Sequence, residues 1–306
     1  MNTLQSVAIV FLAISLPLTA EEKGKWIPIS ESVTSKVKPG WPGLTAGVTV
    51  DPASGDVFMV IPDQGIWRSS DHGQTFERAD KGEVGGRCET GYALNFDPGG
   101  KRLMCFMIYG NSALTTDGGK TWTKLATSHL DFGAVDWDAT GKTMVALRHE
   151  AGGVLCISHD AGQTWKDHDK GFTAVGVFDP QTLLASKGKG ILRSTDAGAT
   201  WTQVSDITPN AALMLTLKDG GYWATSQGIL VSNDKGATWS VLGNAINASF
   251  GPYFGKSASH FVVVGKDGTI NVLHPDQSPL LDDNGQPRKF ESIAAAMDHA
   301  DQNYPS

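Results

Sequence analysis

Basic clusters, helical periodicity, cysteine pairs and, beyond the first twenty residues, long apolar runs are all scarce in this chain. A net charge of −7, a pI near 5.6 and no run of five basic residues give little attraction to phosphate backbones or anionic lipid. Nucleic acid and peripheral membrane surfaces are therefore not expected as partners. Three cysteines, Cys88, Cys105 and Cys156, are too few and too odd in number for a disulfide framework, although one pair remains open. Cys105 and Cys156 fall in apolar strand patterns and read as small buried hydrophobes, whereas Cys88, in a loop beside Arg87, is the thiol to test for reactivity. No glycine-rich phosphate fingerprint leads from a strand into a helix, and no His-x-His or His-Glu-x-x-His spacing occurs, so no nucleotide cofactor, other cofactor or metal is predicted.

Turn formers and large aromatics are abundant instead. The chain of 306 residues holds 36 glycines, 14 prolines and nine tryptophans, a composition suited to many short strands joined by tight turns. Residues 1–20 read as a secretory signal: an apolar stretch from Val7 to Leu16, then the small-residue site Leu18-Thr19-Ala20 before Glu21-Glu22. That stretch, broken by Ser15 and Pro17, falls short of the roughly 20 residues a spanning helix needs. The mature protein is expected to be secreted or periplasmic, with no membrane attachment after signal cleavage.

One eight-residue phrase, Ser/Thr-x-Asp-x-Gly-x-Thr-Trp/Phe, occurs five times. The copies run Ser69 to Phe76, Thr115 to Trp122, Ser158 to Trp165, Ser194 to Trp201 and Ser232 to Trp239. They recur at intervals of roughly 40 residues, room for four short strands with their turns. The hydroxyl and carboxylate of each copy can accept backbone N–H groups of their own turn, the glycine permits positive φ, and the aromatic anchors a neighbouring sheet. A role repeated five times in one frame is structural. Alternating apolar segments before each copy supply three further strand positions, so the order is A, B, C, phrase, D, as in Ala46 to Val50, Val57 to Val60 and Gly65 to Arg68.

These repeats resemble the BNR or Asp-box family over about residues 46 to 274. The resemblance implies an all-β fold, a β-propeller, and a membership that spans sialidases and other glycoside hydrolases, sortilin-type receptors and photosystem II assembly factor-like proteins. The sialidase pattern itself is not met: Ile61-Pro62 follows Val60 and not arginine, and the seven arginines are spread so that Arg68, Arg78, Arg102, Arg193 and Arg288 fall in strands, turns and the tail. A sixth unit, Pro252 to Leu273, lacks its phrase and its fourth strand. Lys25 to Ile29 resembles the post-phrase segment Thr121 to Leu125 and is predicted to supply that strand, closing a six-bladed ring over residues 21–274 and removing two open sheet edges. Seven blades is the competing count. Residues 275–306 read as an appendage.

Antiparallel blades put A–B and C–D turns on one face and B–C turns with D–A crossings on the other. Propeller ligands most often meet the second face. There the sequence places Trp41, Asp63, Arg87, Glu89, Tyr109, Asp131, Arg148, His149 and Glu150, concentrated in the first three blades, with His129 among the same loops. The leading expectation is recognition of a carbohydrate or other extracytoplasmic ligand, with Arg87, Arg148, His149, Tyr109, Trp41 and Asp131 as ligand contacts. An alternative is a glycoside hydrolase-like enzyme with paired carboxylates drawn from Glu150, Glu89 and Asp63. A second alternative is a scaffold with a protein partner.

Overall fold

A computed structural model describes residues 29–40, 47–51, 53–88, 91–126, 129–217, 220–242, 248–254, 261–265, 270–273, 280–290, 296 and 299. Residues 1–28, which include the expected signal and Lys25 to Pro28, together with Trp41, Glu89 and much of the tail, lie outside them. The chain is an all-β propeller of successive antiparallel sheets.

The first blade comprises β1 (Val48–Val50), β2 (Val57–Ile61), β3 (Gly65–Ser69) and β4 (Glu77–Arg78). A short β5 (Gly86–Arg87) precedes the second blade, built from β6 (Leu94–Phe96), β7 (Leu103–Cys105), β9 (Ala113–Thr115) and β10 (Thr123–Lys124), with β8 (Tyr109–Gly110) standing out of its B–C loop. The third blade is β11 (Leu130–Val135), β12 (Met144–Arg148), β13 (Leu155–Ser158) and β14 (Lys166–Asp167). The fourth is β15 (Phe172–Val177), β16 (Leu183–Lys187), β17 (Ile191–Ser194) and β18 (Thr202–Ser205). The fifth is β19 (Leu215–Leu217), β20 (Gly220–Thr225), β21 (Gly228–Ser232) and β22 (Ser240–Leu242). A three-stranded sheet follows, β23 (Ala248–Phe254), β24 (Phe261–Gly265) and β25 (Ile270–Leu273), as the sixth unit read from the sequence.

The core lies between consecutive sheets. Middle strands bury both faces, which is why they read as continuous apolar runs and not as alternating ones: all five residues of β2 are buried. In β12, Val145 and Leu147 join the cluster shared with the fourth blade, while Met144 and Ala146 join the one shared with the second. Trp122 of the second blade meets Phe58 of the first edge-on, with ring centroids 6.5 Å apart.

Two departures from the sequence reading have local causes. Strand A of the second blade, which the repeat pattern starts at Tyr92, begins only at Leu94, because Tyr92 belongs to a short 3-10 turn, Gly91–Ala93, that lengthens the crossing into that blade. A four-residue helix, α1 (Glu31–Thr34), appears where no helical periodicity exists, because Val33 is fully buried against Val57, Met59 and Trp67 on the flank of the first blade. Tertiary burial, not propensity, holds it.

Each phrase forms the same turn. In the first, Ser69 Oγ donates to Asp71 Oδ1 at 2.7 Å and accepts from Gly73 N at 2.8 Å, while Asp71 accepts from Thr75 N at 2.8 Å and Thr75 Oγ1 at 2.6 Å. The fourth repeats this through Ser194, Asp196, Gly198 and Thr200. Such bonds stabilise the ionised carboxylate. Asp71, Asp117, Asp196 and Asp234 are held down at about 2, with the threonine hydroxyl as the main cause. The turn also places the residue just before the phrase's fixed glycine in left-handed backbone, a non-glycine in four of the five phrases, as at Ala197 with φ 59°. The phrases share their face with the A–B turns: Gly118, Ala161 and Ala197 donate backbone N–H bonds to Lys101, Lys142 and Gln181 of their own blades' A–B turns, at 2.8, 2.9 and 3.1 Å.

Candidate functional site

Among the described residues, the opposite face shows no counterpart of the phrase turn. Its B–C turns and D–A crossings in the first three blades are linked by a stepwise series of backbone hydrogen bonds. Asp63 N donates to Gly86 O, Ile108 N to Arg87 O, His129 N to Ile108 O and His149 N to His129 O, all between 2.9 and 3.0 Å. The result is a ledge of five chain segments in fixed register. Its middle step is the two-stranded ribbon β5–β8, pairing Gly86 with Gly110 and Arg87 with Tyr109. A Cβ on Gly86 would lie 1.8 Å from the Tyr109 carbonyl oxygen, so this glycine serves backbone contact within the protein and not approach to a ligand.

The ribbon lifts Tyr109 to the surface, where it is 42% exposed. The Arg87 guanidinium lies over its ring, 5.0 Å from the centroid, and the imidazoles of His129 and His149 stand edge-on to it at 5.3 and 5.8 Å. Those two imidazoles face each other at 6.5 Å with their planes 27° apart. His149 Nδ1 is 2.6 Å from Asp131 Oδ1, and its Nε2 is 3.8 Å from Glu150 Oε1. The His149 side chain is 10% exposed, that of Glu150 78%.

Of the residues singled out in the sequence, the structure gathers Arg87, Tyr109, Asp131, His149 and Glu150. Asp63 joins through its backbone, one strand position from Arg87. Arg148 turns aside: its Nε and Nη2 donate to Asp167 Oδ1 of the same blade at 2.9 and 2.7 Å. Trp41 and Glu89 lie outside the described residues. His129 completes the cluster although nothing in its sequence neighbourhood assigns it a role; its position in the D–A crossing was the available signal. The carboxylates are already engaged with an imidazole, Asp131 by hydrogen bond and Glu150 by proximity.

Cys88 is corrected. It is not a loop thiol open to reagents but is buried, with its Sγ 3.4 Å from Met107 Sδ, and desolvation pushes its thiol well up. Cys105 and Cys156 are likewise buried, burial raising Cys156 to about 12, and all three cysteines are free. The remaining described rim arginines serve the blades: Arg68 pairs with Asp56, Arg78 with Asp80, Arg102 with Asp97, and Arg193 donates to the Lys235 carbonyl.

A cavity of about 60 Å³ lies between the final residues of the A strands, lined by Asn95, Phe96, Trp137, Phe178 and Met214. Asp136 also borders it. Its carboxylate is occupied by Thr140 Oγ1 at 2.7 Å and Thr143 N at 2.9 Å, which makes it a turn anchor.

A family model described as BNR/Asp-box repeat matches residues 113–124, the second phrase with its flanking strands. The protein carries BNR/Asp-box repeats. Among solved structures, this Asp-box chain is similar to a GH74 enzyme of Niastella koreensis, with 17% identity, a TM-score of 0.51 and coverage of 79% of this chain and 45% of that one. The chain thus spans less than half of that enzyme's length. It is also similar to YCF48 bound to a D1 peptide, with 14% identity, a TM-score of 0.46 and coverage of 74% and 77%. YCF48 from Cyanidioschyzon merolae is 12% identical, with a TM-score of 0.47 and coverage of 79% and 86%. Likeness at these identities concerns the fold alone. No curated protein matches the chain.

Proposed function

We propose that this protein is an exported Asp-box propeller that binds carbohydrate on the ledge of its first three blades. The observation that carries the reading is Tyr109: an exposed aromatic ring, backed by the Arg87 guanidinium and bordered by two imidazoles, on backbone held in register from loop to loop. An amphipathic ring offers a sugar a flat apolar face, while polar groups at its edge take the hydroxyls. Pre-ordering of the ledge lowers the entropic cost of binding.

The ring that carries this ledge is six-bladed and closed by the N-terminal segment. Ile29 supports this reading. It lies in van der Waals reach of Gly73 in the first phrase, where an added Cβ would be 3.0 Å from its Cγ2. Leu125, its counterpart in the sequence comparison, occupies the same relation to Gly162 of the next blade, with Cδ1 at 2.8 Å. From Ile29 the chain climbs the flank of the first blade to Gly40, whose N–H donates to the Pro62 carbonyl on the ledge face. That is the course of a D–A crossing, entering from a sixth blade. Residues 1–20 act as the export signal, residues 21–274 form the propeller, and residues 275–306 are an appendage.

A glycan-binding screen of the purified mature protein tests the function, with the Tyr109→Ala variant alongside. Binding by the parent, weakened about tenfold or more in the variant, supports the reading. No response to any glycan would overturn it in favour of a protein partner. N-terminal sequencing of exported material tests cleavage after Ala20.

A further inference from the structure

The ledge holds an arrangement that simple binding does not require. A carboxylate can only accept, so in the neutral imidazole the proton shared between Asp131 and His149 resides on Nδ1 and the lone pair lies on Nε2, 3.8 Å from the largely exposed Glu150 carboxylate. Within 5.8 Å of that ring stands the phenol of Tyr109. The Arg87 guanidinium lies over the phenol ring, 5.0 Å from its centroid. A base, an acid and a fixed cation thus meet at the surface. Asp131 and Glu150 do not form the facing carboxylate pair that most glycoside hydrolysis uses, since both are directed at His149.

We propose that the ledge cleaves uronate-containing glycans by β-elimination, a proposal that rests on the carbohydrate reading and specifies its substrate as acidic. His149 Nε2 removes the C5 proton, which lies α to the C6 carboxylate. The C5–H electron pair becomes the C4=C5 double bond, and the C4–O4 bond breaks with its pair leaving on O4. The Tyr109 hydroxyl protonates O4. Proton transfer from the His149 imidazolium to the phenolate, through solvent, restores both groups. One chain becomes two, one with a new hydroxyl and one with an unsaturated uronate end, and no water, oxidant or reductant is consumed. His129 donates a hydrogen bond to the C6 carboxylate, on which negative charge builds as the proton leaves. Asp131 is a positioning residue.

The stereochemistry follows from the one-sided ledge. His149 and Tyr109 approach the sugar from the same side, which suits residues whose C5 hydrogen and C4 oxygen share a ring face. Mannuronate and glucuronate meet that condition. In galacturonate the two lie on opposite faces.

The test incubates the mature full-length protein with polymannuronate, hyaluronan and polygalacturonate while following ultraviolet absorbance of the conjugated double bond, with calorimetric binding in parallel. Absorbance should rise with polymannuronate or hyaluronan and not with polygalacturonate. His149→Ala and His149→Gln should each abolish the rise while uronate binding remains measurable by calorimetry, and Tyr109→Phe should slow it about 100-fold or more. Asp131→Asn should displace the pH profile of kcat/KM with little change in Kd, and circular dichroism of each variant confirms that it folds. Binding of uronates without a chromophore overturns the elimination and leaves the carbohydrate reading standing. Binding confined to neutral glycans overturns the acidic substrate, full turnover by His149→Gln overturns the assignment of the base, and binding to no glycan at all sinks both readings.

Discussion

The two faces of this propeller are built on opposite plans. On the face of the Asp-box turns, one set of hydrogen bonds recurs with each phrase, every acceptor satisfied within its own turn. On the ledge face the described turns share no such common scheme, and Tyr109 stands exposed with His129 and His149 against its ring and the exposed Glu150 carboxylate beside His149. Repetition marks residues that hold the blades together, and irregularity marks residues whose chemistry is not spent on the fold.

The comparison can be broken most forcefully by acid. Asp71, Asp117, Asp196 and Asp234 titrate at about 2 in the folded protein against a usual 3.8. A depressed folded value means that their contribution is fully present above the unfolded value and is lost as pH falls through the folded one. Stability measured by chemical denaturation is therefore expected to hold down to about pH 4 and to fall steeply toward pH 2. A flat profile across that window would mean the carboxylates do not support the turns.

Glycines sharpen the contrast by one step. Gly198 has φ +88° and an added Cβ would lie 2.3 Å from Ile157 Cδ1 of the neighbouring blade, whereas Gly152 on the ledge face, φ +69°, has open space around it. Gly198→Ala should cost about 2–3 kcal/mol, combining left-handed backbone strain with overpacking, and Gly152→Ala only the strain, about 1–2 kcal/mol. Equal losses in thermal denaturation would contradict the assignment of packing to the box face. Removing one hydroxyl is the next test: Ser194→Ala leaves the buried Gly198 N–H unpaired and should cost about 1–3 kcal/mol.

Smaller effects are expected at two further positions. Tyr109→Ala should change stability by no more than about 0.5–1 kcal/mol while weakening glycan binding, so that a large drop in Tm would recast Tyr109 as structural. Ala197→Gly should raise stability by up to about 1 kcal/mol, because Ala197 sits at φ 59°. A loss there would show that the turn tolerates its strain for a contact not yet recognised.

The box face was legible because its bonds are local. Ser69 to Gly73 and Asp71 to Thr75 are four residues apart, so the phrase alone specifies which donor meets which acceptor. The ledge was legible only as a set of loops. That His149 turns to Asp131 and Arg148 to Asp167 depends on β-ladder register and on the bulge between Leu130 and Phe132, neither of which a residue pattern specifies. Cys88 was misplaced for the same reason: a residue between a polar ribbon and a loop reads as exposed until the Met107 side chain is known to cover it.

Taken by itself, the order of residues determined the repeat, the turn chemistry and the alternation of apolar positions, since all of these act over a few residues along one chain segment. The tertiary structure alone decided which loops became neighbours, because the gathering of Arg87, Tyr109, His129 and His149 depends on how one blade is rotated against the next. Local hydrogen bonding can write a turn, but only the packing of whole sheets can bring four distant turns to one surface.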